Sequence, residues 1–422
     1  MILWAAIGAL LLILARWATE WWLSHLNERH VRAHRDALPD VFVGVIDEST
    51  YRKSVDYTLT RSRFGKWADL YDTLLLLAVL FSGVLPWFLT QTATRFGDSI
   101  WAIAAFLFAV GIALSLLGLP FDWYAQFRLE ERFGFNTTTM KTWVLDRLKG
   151  LMLAVLLGYP LLALLLKVIG WAGSTWWLWS WAIFVVFQFL LMLIAPALIM
   201  PLFNKFTPLP EGSLRERLFD LARRTDFPTR GIDVMDGSRR SRHSNAFFTG
   251  FGRLRKIVLF DTLVVQLTEP ELEAVLAHEI GHYRKRHIVK FLGVSMLGTF
   301  IAFAAIAWLA RQVWFYRAFG FASESSFSPA AIVPAILLFA LLAGTVSFWF
   351  TPLINVWSRR FEYEADDFAR SVMKEAESLI GALRKLNEKN LSNLTPHPLY
   401  SGFYYSHPTL LERESALKRS AD

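Results

Sequence analysis

A chain of 422 residues with 54% hydrophobic side chains, 18 Trp and a mean hydropathy of +0.36 is too apolar for a soluble enzyme and reads as a membrane protein. Cysteine is absent, which excludes disulfides and thiolate metal sites and leaves His, Glu and Asp as donors for a tightly held metal. The formal charge of +8 does not call for nucleic acid, because the basic residues gather between apolar runs, where the positive-inside rule accounts for them.

Seven segments approach the ~20 apolar residues that a bilayer core requires. The first, Ile2 to about Leu23, is interrupted by Arg16 and Glu20, and a cleaved signal peptide is its alternative, although no basic residue precedes the apolar run. The others run from about Ala68 to Leu89, Ile100 to Leu119, Leu151 to Ile169, Trp176 to Met200, Ile288 to Ala310 and Ala331 to Leu353. Connections after the odd-numbered spans are basic: Arg29, Arg32, Arg35, Lys53, Arg61 and Arg63; Arg128, Arg132, Lys141 and Arg147; about fifteen residues between Asn204 and His287; and many beyond Trp357. Those after the even-numbered spans hold little beyond Arg95, Arg311 and Arg317, which places the C-terminus in the cytoplasm and the N-terminus opposite.

The long polar insertion from Asn204 to His287 reads as a helix at Leu214 to Arg224, extended runs around Ile232–Val234 and Ile257–Leu259, and a second helix ending in HEIGH. Between the extended runs lies HSNAFFTG, residues 243–250, which is either an ordinary hairpin or an edge on which a peptide substrate could add as a strand.

In HEIGH, His278 and His282 stand four residues apart on one helical face, so both imidazoles reach a single ion, and Glu279 sits beside it to polarise a coordinated water. Thr268 three residues before Glu271, Pro270, and the stripe Leu272, Val275 and Leu276 predict the helix that this chemistry needs.

A catalytic zinc takes three protein ligands and keeps one position open, so a third donor must come from elsewhere. Glu362 and Asp366 are spaced i and i+4 on a helix just after the seventh span; one can ligate while the other fixes the tautomer of a ligand histidine. Glu364 points off that face and is left out. Further on, Leu379, Leu383 and Leu386 mark an amphipathic helix, followed by the Pro-punctuated stretches with His397 and His407. Spacing alone reads both as turn residues, although either could return to the site and donate to an oxyanion. His25, His30, His34 and His287 read as solvated loop or interfacial residues, and the end near residues 419–422 as disordered.

Taken together, HEIGH before span six, FEYEAD after span seven and a terminal YYSHP resemble the type I CAAX prenyl endopeptidases, integral-membrane zinc proteases. RLEERFGFN (128–136), IMPLFNKFTPLP (199–210), DGSRRSRHSNAFFTGFG (236–252) and IVLFDTL (257–263) extend the likeness through most of the chain. The resemblance implies an all-α membrane protein in which seven helices form a barrel around a water-filled chamber, with a cytoplasmic zincin-like catalytic domain carrying a small β element. It implies one Zn²⁺ per chain held by His278, His282 and Glu362, with Glu279 as general base and His407 stabilising the oxyanion. Asp366 and Arg413 would support the ligands, and Asn245 and Ala246 would line the substrate strand. Two departures from the family pattern, Thr409 and Glu364, stand where a proline and a glutamine are usual; neither touches a proposed ligand.

The expected division is a membrane domain, residues 1–203, with five spans, and a metallopeptidase domain, residues 204–422. The expected partners are a lipid bilayer and a peptide or protein substrate, possibly prenylated; a monomer suffices. Short connections and the lack of a retrieval signal lean towards a prokaryotic member of the inner membrane rather than one of the endoplasmic reticulum, and its substrate would then be another peptide or membrane protein. A quality-control metalloprotease without a prenyl requirement is the alternative function. A silent scaffold conflicts with the complete set of base and ligands, and a transporter rests only on Asp72, Lys167 and Gln188 near or within spans.

Overall fold

The structure, a computed structural model, describes residues 1–36, 38–250, 255–322 and 328–419. The end of the 236–252 match and residues 420–422 lie outside the described residues. Helices dominate. α1 (Ile2–Ala33) carries Arg16 and Glu20 bonded to each other at 3.0 Å, which offsets the cost of two charges in one apolar run. α2 (Glu48–Phe81) is capped by the Asp47 carboxylate on the Thr50 N–H. It ends at Gly83, whose φ of +80° favours glycine, and α3 (Val84–Phe96) leaves at 54° to it. The second apolar segment, expected as one continuous span to Leu89, is therefore broken.

α4 (Ile100–Tyr124) passes through a π-wound turn, Ala125–Glu130. The run Met140–Phe203 is helical over 64 residues, about three bilayer cores if straight, but it folds back. Within it α5 (Met140–Leu153) and α6 (Tyr159–Ala172) lead to a 3₁₀ turn at Gly173–Thr175, and α7 (Trp176–Ile194) returns against α6. Five helices among the described residues are long and apolar enough to cross a membrane, or six if the bent α2–α3 pair counts as one span. Outward-facing Leu156, Val186, Leu297 and Ile301 suit hydrocarbon contact.

The insertion builds a four-stranded sheet from β1 (Phe206–Pro208), β2 (Gly231–Met235), β3 (Ala246–Thr249) and β4 (Lys256–Phe260), in the order β1-β2-β4-β3. β2 and β4 are parallel, the other pairs antiparallel, and β3 is an edge. α8 (Ser213–Arg224) and α9 (Glu269–Arg284) pack with the sheet around Leu218, Leu221, Ile257, Leu259, Leu272 and Leu276. Arg240 pins this unit to the membrane helices: it grips both oxygens of Asp146 at 2.8 and 3.0 Å and the Phe203 carbonyl at 2.6 Å.

α10 (His287–Leu309) follows α9, and α11 (Pro329–Ser347) runs through a single 3₁₀ turn into α12 (Thr351–Met373). α13 (Glu377–Lys389) packs on α9, α14 (Pro398–Tyr404) on α12, and α15 (Leu410–Arg419) closes the chain against α12 and α13.

Candidate active site

The site forms where α9 crosses α12, and the crossing is close because Gly281 has no side chain. A Cβ there would lie 3.0 Å from the Ala365 Cα and 3.1 Å from its carbonyl oxygen, both backbone atoms that cannot yield locally. The N-terminus of α9 is fixed as the capping pattern predicts: Glu271 accepts from the Thr268 N–H at 2.8 Å and from Lys385 of α13 at 2.7 Å. Gly281→Ala should separate the helices by a few tenths of an ångström, cost roughly 1–3 kcal/mol as overpacking does, and lower metal affinity; thermal melts with and without added metal check it.

Across this crossing His278 Nε2 and His282 Nε2 lie 3.2 Å apart, and the Glu362 carboxylate oxygens lie 3.6 Å and 3.4 Å from them. All three ligand atoms fall within 4.8 Å of one another. Donors held tetrahedrally at the ~2.0–2.1 Å typical of zinc sit about 3.4 Å apart, so the spacing fits such an ion. Two further observations agree. Glu362 Oε2 is buried without a hydrogen-bond donor, and the two Nε2 atoms face each other as lone pairs once each Nδ1 carries the proton.

The Nδ1 protons are assigned by the partners behind them. His278 Nδ1–H donates to Asp366 Oδ1 at 2.8 Å, and Asp366 is in turn gripped by Arg413 through Nε at 2.8 Å and Nη2 at 2.5 Å. Arg413 and Asp366 are both buried.

Glu279 projects beside the cluster and accepts no hydrogen bond among the described residues; burial pushes its carboxyl up, and the two ligand imidazoles oppose that rise. His407 Nε2 lies 3.3 Å from Glu362 Oε1, at the rim of a cavity of about 430 Å³ that it shares with Arg413. Its position depends on α12: Arg359 donates to the Tyr405 carbonyl at 2.6 Å, and Asn355 to that of Phe403 at 2.7 Å. His397 instead accepts from the Leu399 N–H at the start of α14, the turn role that spacing gives it.

β3 packs against α9. The Phe260 N–H donates to the Asn245 carbonyl at 3.1 Å, so the alternation of an antiparallel pair turns the backbone groups of Ala246 and Phe248 to the open edge. A cavity of about 450 Å³ joins this edge to the metal helix, lined by Phe248, Thr249, His282 and Tyr283.

The same architecture occurs in known proteins. Residues 27–205 match the family described as CAAX prenyl protease N-terminal, five membrane helices, and residues 208–421 match peptidase family M48. The CAAX prenyl protease 1 of Saccharomyces cerevisiae is 40% identical over 90% of this chain and 88% of its own length. The human CAAX prenyl protease 1 homolog is 32% identical over 97% and 95%. The crystal structure of Saccharomyces mikatae Ste24p superposes with a TM-score of 0.89 at 36% identity, covering 98% of each chain. The chain belongs to the CAAX prenyl protease family. It is a membrane metallopeptidase, and the expectation of a prokaryotic source draws no support from these eukaryotic relatives.

In this family member two residues set aside on sequence grounds join the site. His287, expected to be solvated, is 1% exposed. His282 Nδ1–H donates to His287 Nδ1 at 2.9 Å, and His287 Nε2–H donates to Glu364 at 3.1 Å, which gives the second ligand a support parallel to that of the first. A residue five positions beyond His282 would sit off its face in a continuous helix. Here Arg286 adopts φ +57°, ends α9, and swings His287 back beneath His282.

Both departures from the family pattern also act locally. Glu364 closes the His287 relay, and Thr409 starts the helix bearing Arg413 by donating its N–H to Glu412 at 2.7 Å. His25 and His30 lie within α1, partly buried, rather than in a loop. His287→Leu should weaken metal binding by about 10–100-fold with the fold retained, as loss of such supports does, measured by competition with a chromophoric chelator.

Proposed function

We propose that this chain is a zinc-dependent endopeptidase that cuts near the C-terminus of prenylated proteins inside a chamber enclosed by seven spans. The observation that carries the reading is the convergence of His278, His282 and Glu362 beside Glu279, which accepts no hydrogen bond among the described residues. His278, His282 and Glu362 would hold the ion, which when bound would supply Lewis-acid polarisation of the scissile carbonyl and acidify the attacking water. Glu279 accepts the proton of the attacking water and later delivers it to the leaving amine. The His407 Nε2–H, facing the same cluster, donates to the oxyanion. The substrate backbone adds to the open edge of β3 from Ala246 onwards, where Asn245 Oδ1 accepts from the Ala246 N–H at 2.8 Å and yields that donor to the peptide, which holds the scissile bond in register above α9. Asp366 with Arg413, and Glu364 through His287, keep the ligand imidazoles in their tautomers.

Seven spans follow if the Met140–Phe203 run crosses twice, α2 with α3 crosses once, and α1, α4, α10 and α11 cross once each; the fold-back of α6 on α7 supports this. Cavities of about 610 and 680 Å³ share Tyr57, Arg61 and His243 in their walls, and the first shares Asn393 and Tyr405 with the cavity of about 430 Å³ that reaches His407, which supports a common chamber. The matched families meet between residues 205 and 208, which supports the boundary of a membrane domain, 1–203, and a peptidase domain, 204–422. Basic connections support a metal site and a C-terminus on the cytoplasmic side.

The test is cleavage of a farnesylated C-terminal peptide and its unprenylated twin by reconstituted protein. Release of a C-terminal fragment from the farnesylated peptide, and little from its twin, is expected. Equal cleavage of both would replace the prenyl reading with a general membrane-protein protease.

A further inference from the structure

A second cleft opens outside the peptidase site, between the middle of α2 and the end of α4. It has a volume of about 530 Å³ and takes Arg63, Phe64 and Trp67 from one helix and Phe121, Arg128 and Arg132 from the other side. Its depth relative to the bilayer is set by the sequence: apolar character begins in α2 at about Ala68 and ends in α4 at about Leu119, so Arg63 stands about one and a half turns outside hydrocarbon, and Arg128 and Arg132 about two and a half and three and a half turns. Trp67 and Tyr124, 70% and 49% exposed, occupy the level where amphipathic rings concentrate.

The charges in the cleft are uncompensated. Arg35, Arg147 and Arg240 each hold a carboxylate. Arg63, Arg128 and Arg132 form no ion pair among the described residues. The acids nearby are committed elsewhere: Asp122 to Arg147 at 2.7 Å, Glu130 to the Tyr57 hydroxyl at 2.8 Å, and Glu131 to Asn136 at 2.8 Å. Arg128 lies over the Trp123 ring at 5.5 Å, which orients its guanidinium without consuming its donors. Next to the charges, Phe64 stacks on Tyr124 at 5.3 Å and leans on Phe121 at 6.0 Å, forming an apolar wall. Orientation by the positive-inside rule needs arginines near a span end; it does not need three of them to converge on one aromatic-walled cleft.

We propose that this cleft is a binding site for a phospholipid of net negative head-group charge, its phosphate and the further acidic group of the head held together by Arg63, Arg128 and Arg132 and the upper part of an acyl chain laid along Phe64, Trp67 and Phe121. Guanidinium forks match phosphate oxygens, and the cleft opens at the height at which a lipid in the leaflet presents them. The site does not depend on the peptidase assignment.

The experiment uses the full chain and native mass spectrometry with phosphatidylserine and phosphatidylcholine of identical acyl chains, so that only the head group differs. Phosphatidylserine adducts should exceed phosphatidylcholine adducts by about tenfold, given what each juxtamembrane basic residue contributes. The R63Q/R128Q/R132Q variant should bring the two to parity, while R35Q/R52Q/R223Q, at exposed arginines elsewhere, keeps the preference. The absence of cysteine gives an independent reading that leaves the arginines intact: a Thr60→Cys variant carrying a photoreactive label should cross-link phosphatidylserine with the same preference. Parity in the parent or the labelled protein, or a preference that survives the triple substitution, overturns the proposal. So does displacement of the lipid by excess inorganic phosphate alone, which would make the ligand a free anion, or by a farnesylated peptide, which would make the cleft part of the substrate path.

Discussion

Glu279→Gln is expected to lower peptide turnover by about 10²–10⁴-fold while leaving metal content unchanged. The substitution keeps the size and shape of the side chain, and Glu279 accepts no hydrogen bond among the described residues, so no structural partner is orphaned by the change. What is lost is the group that takes a proton from the attacking water. His278→Ala separates the two roles from the other side. It removes a ligand while Asp366 keeps its Arg413 fork, so the metal is expected to leave and activity with it. Emission spectroscopy of the purified protein, with a cleavage assay on the same sample, reads both quantities. Turnover in Glu279→Gln equal to that of the parent would remove Glu279 from the reaction; metal retained by His278→Ala would remove His278 from the ligand set.

The features legible in the sequence are those that depend on local periodicity. HEIGH sits on a helix because Thr268, Pro270 and Glu271 start one and Leu272 and Leu276 bury one side of it, and all of this is short-range information. Glu362 and Asp366 are legible for the same reason, being one turn apart on a helix that continues from an apolar run. Less legible are sites where the chain leaves its period. Gly83 breaks the second apolar segment because a left-handed residue is available there, yet hydropathy averages straight across it. The π-wound turns at Ala125–Glu130, Ala154–Gly158 and Ala195–Ile199 shift the register of every face beyond them with no change in composition.

His287 is the most consequential of these. Its role depends on one left-handed arginine, and arginine carries no sequence signal for that conformation. Glu364 matters because its face of α12 meets α10, which is tertiary information. Arg359 and Asn355 hold the His407 segment through backbone carbonyls, and the identity of the accepting residues leaves no trace at all.

Arg413→Ala is expected to produce the largest stability loss in the site. The guanidinium is buried and spans both oxygens of Asp366, with Nη1 3.7 Å from Glu362, so its removal leaves a buried carboxylate with His278 as its remaining partner. Breaking one side of a buried pair costs about 3–5 kcal/mol, more than the pair itself contributes, because the surviving charge is neither solvated nor neutralised. Two further variants distinguish charge from orientation. Arg413→Lys restores a positive charge but not the fork, so stability should return in part while metal affinity stays reduced. The double variant Arg413→Ala with Asp366→Ala removes the orphaned carboxylate, and should be more stable than Arg413→Ala alone yet bind metal no better, since His278 has lost the acceptor that fixes its tautomer. If the double variant regained both stability and metal affinity, Asp366 would be a liability that Arg413 merely neutralises, and the orientation of His278 would have to come from elsewhere. If it regains stability alone, the arginine serves the fold and the aspartate serves the ion, and the tail of the chain reaches back to α12 because the first depends on the second.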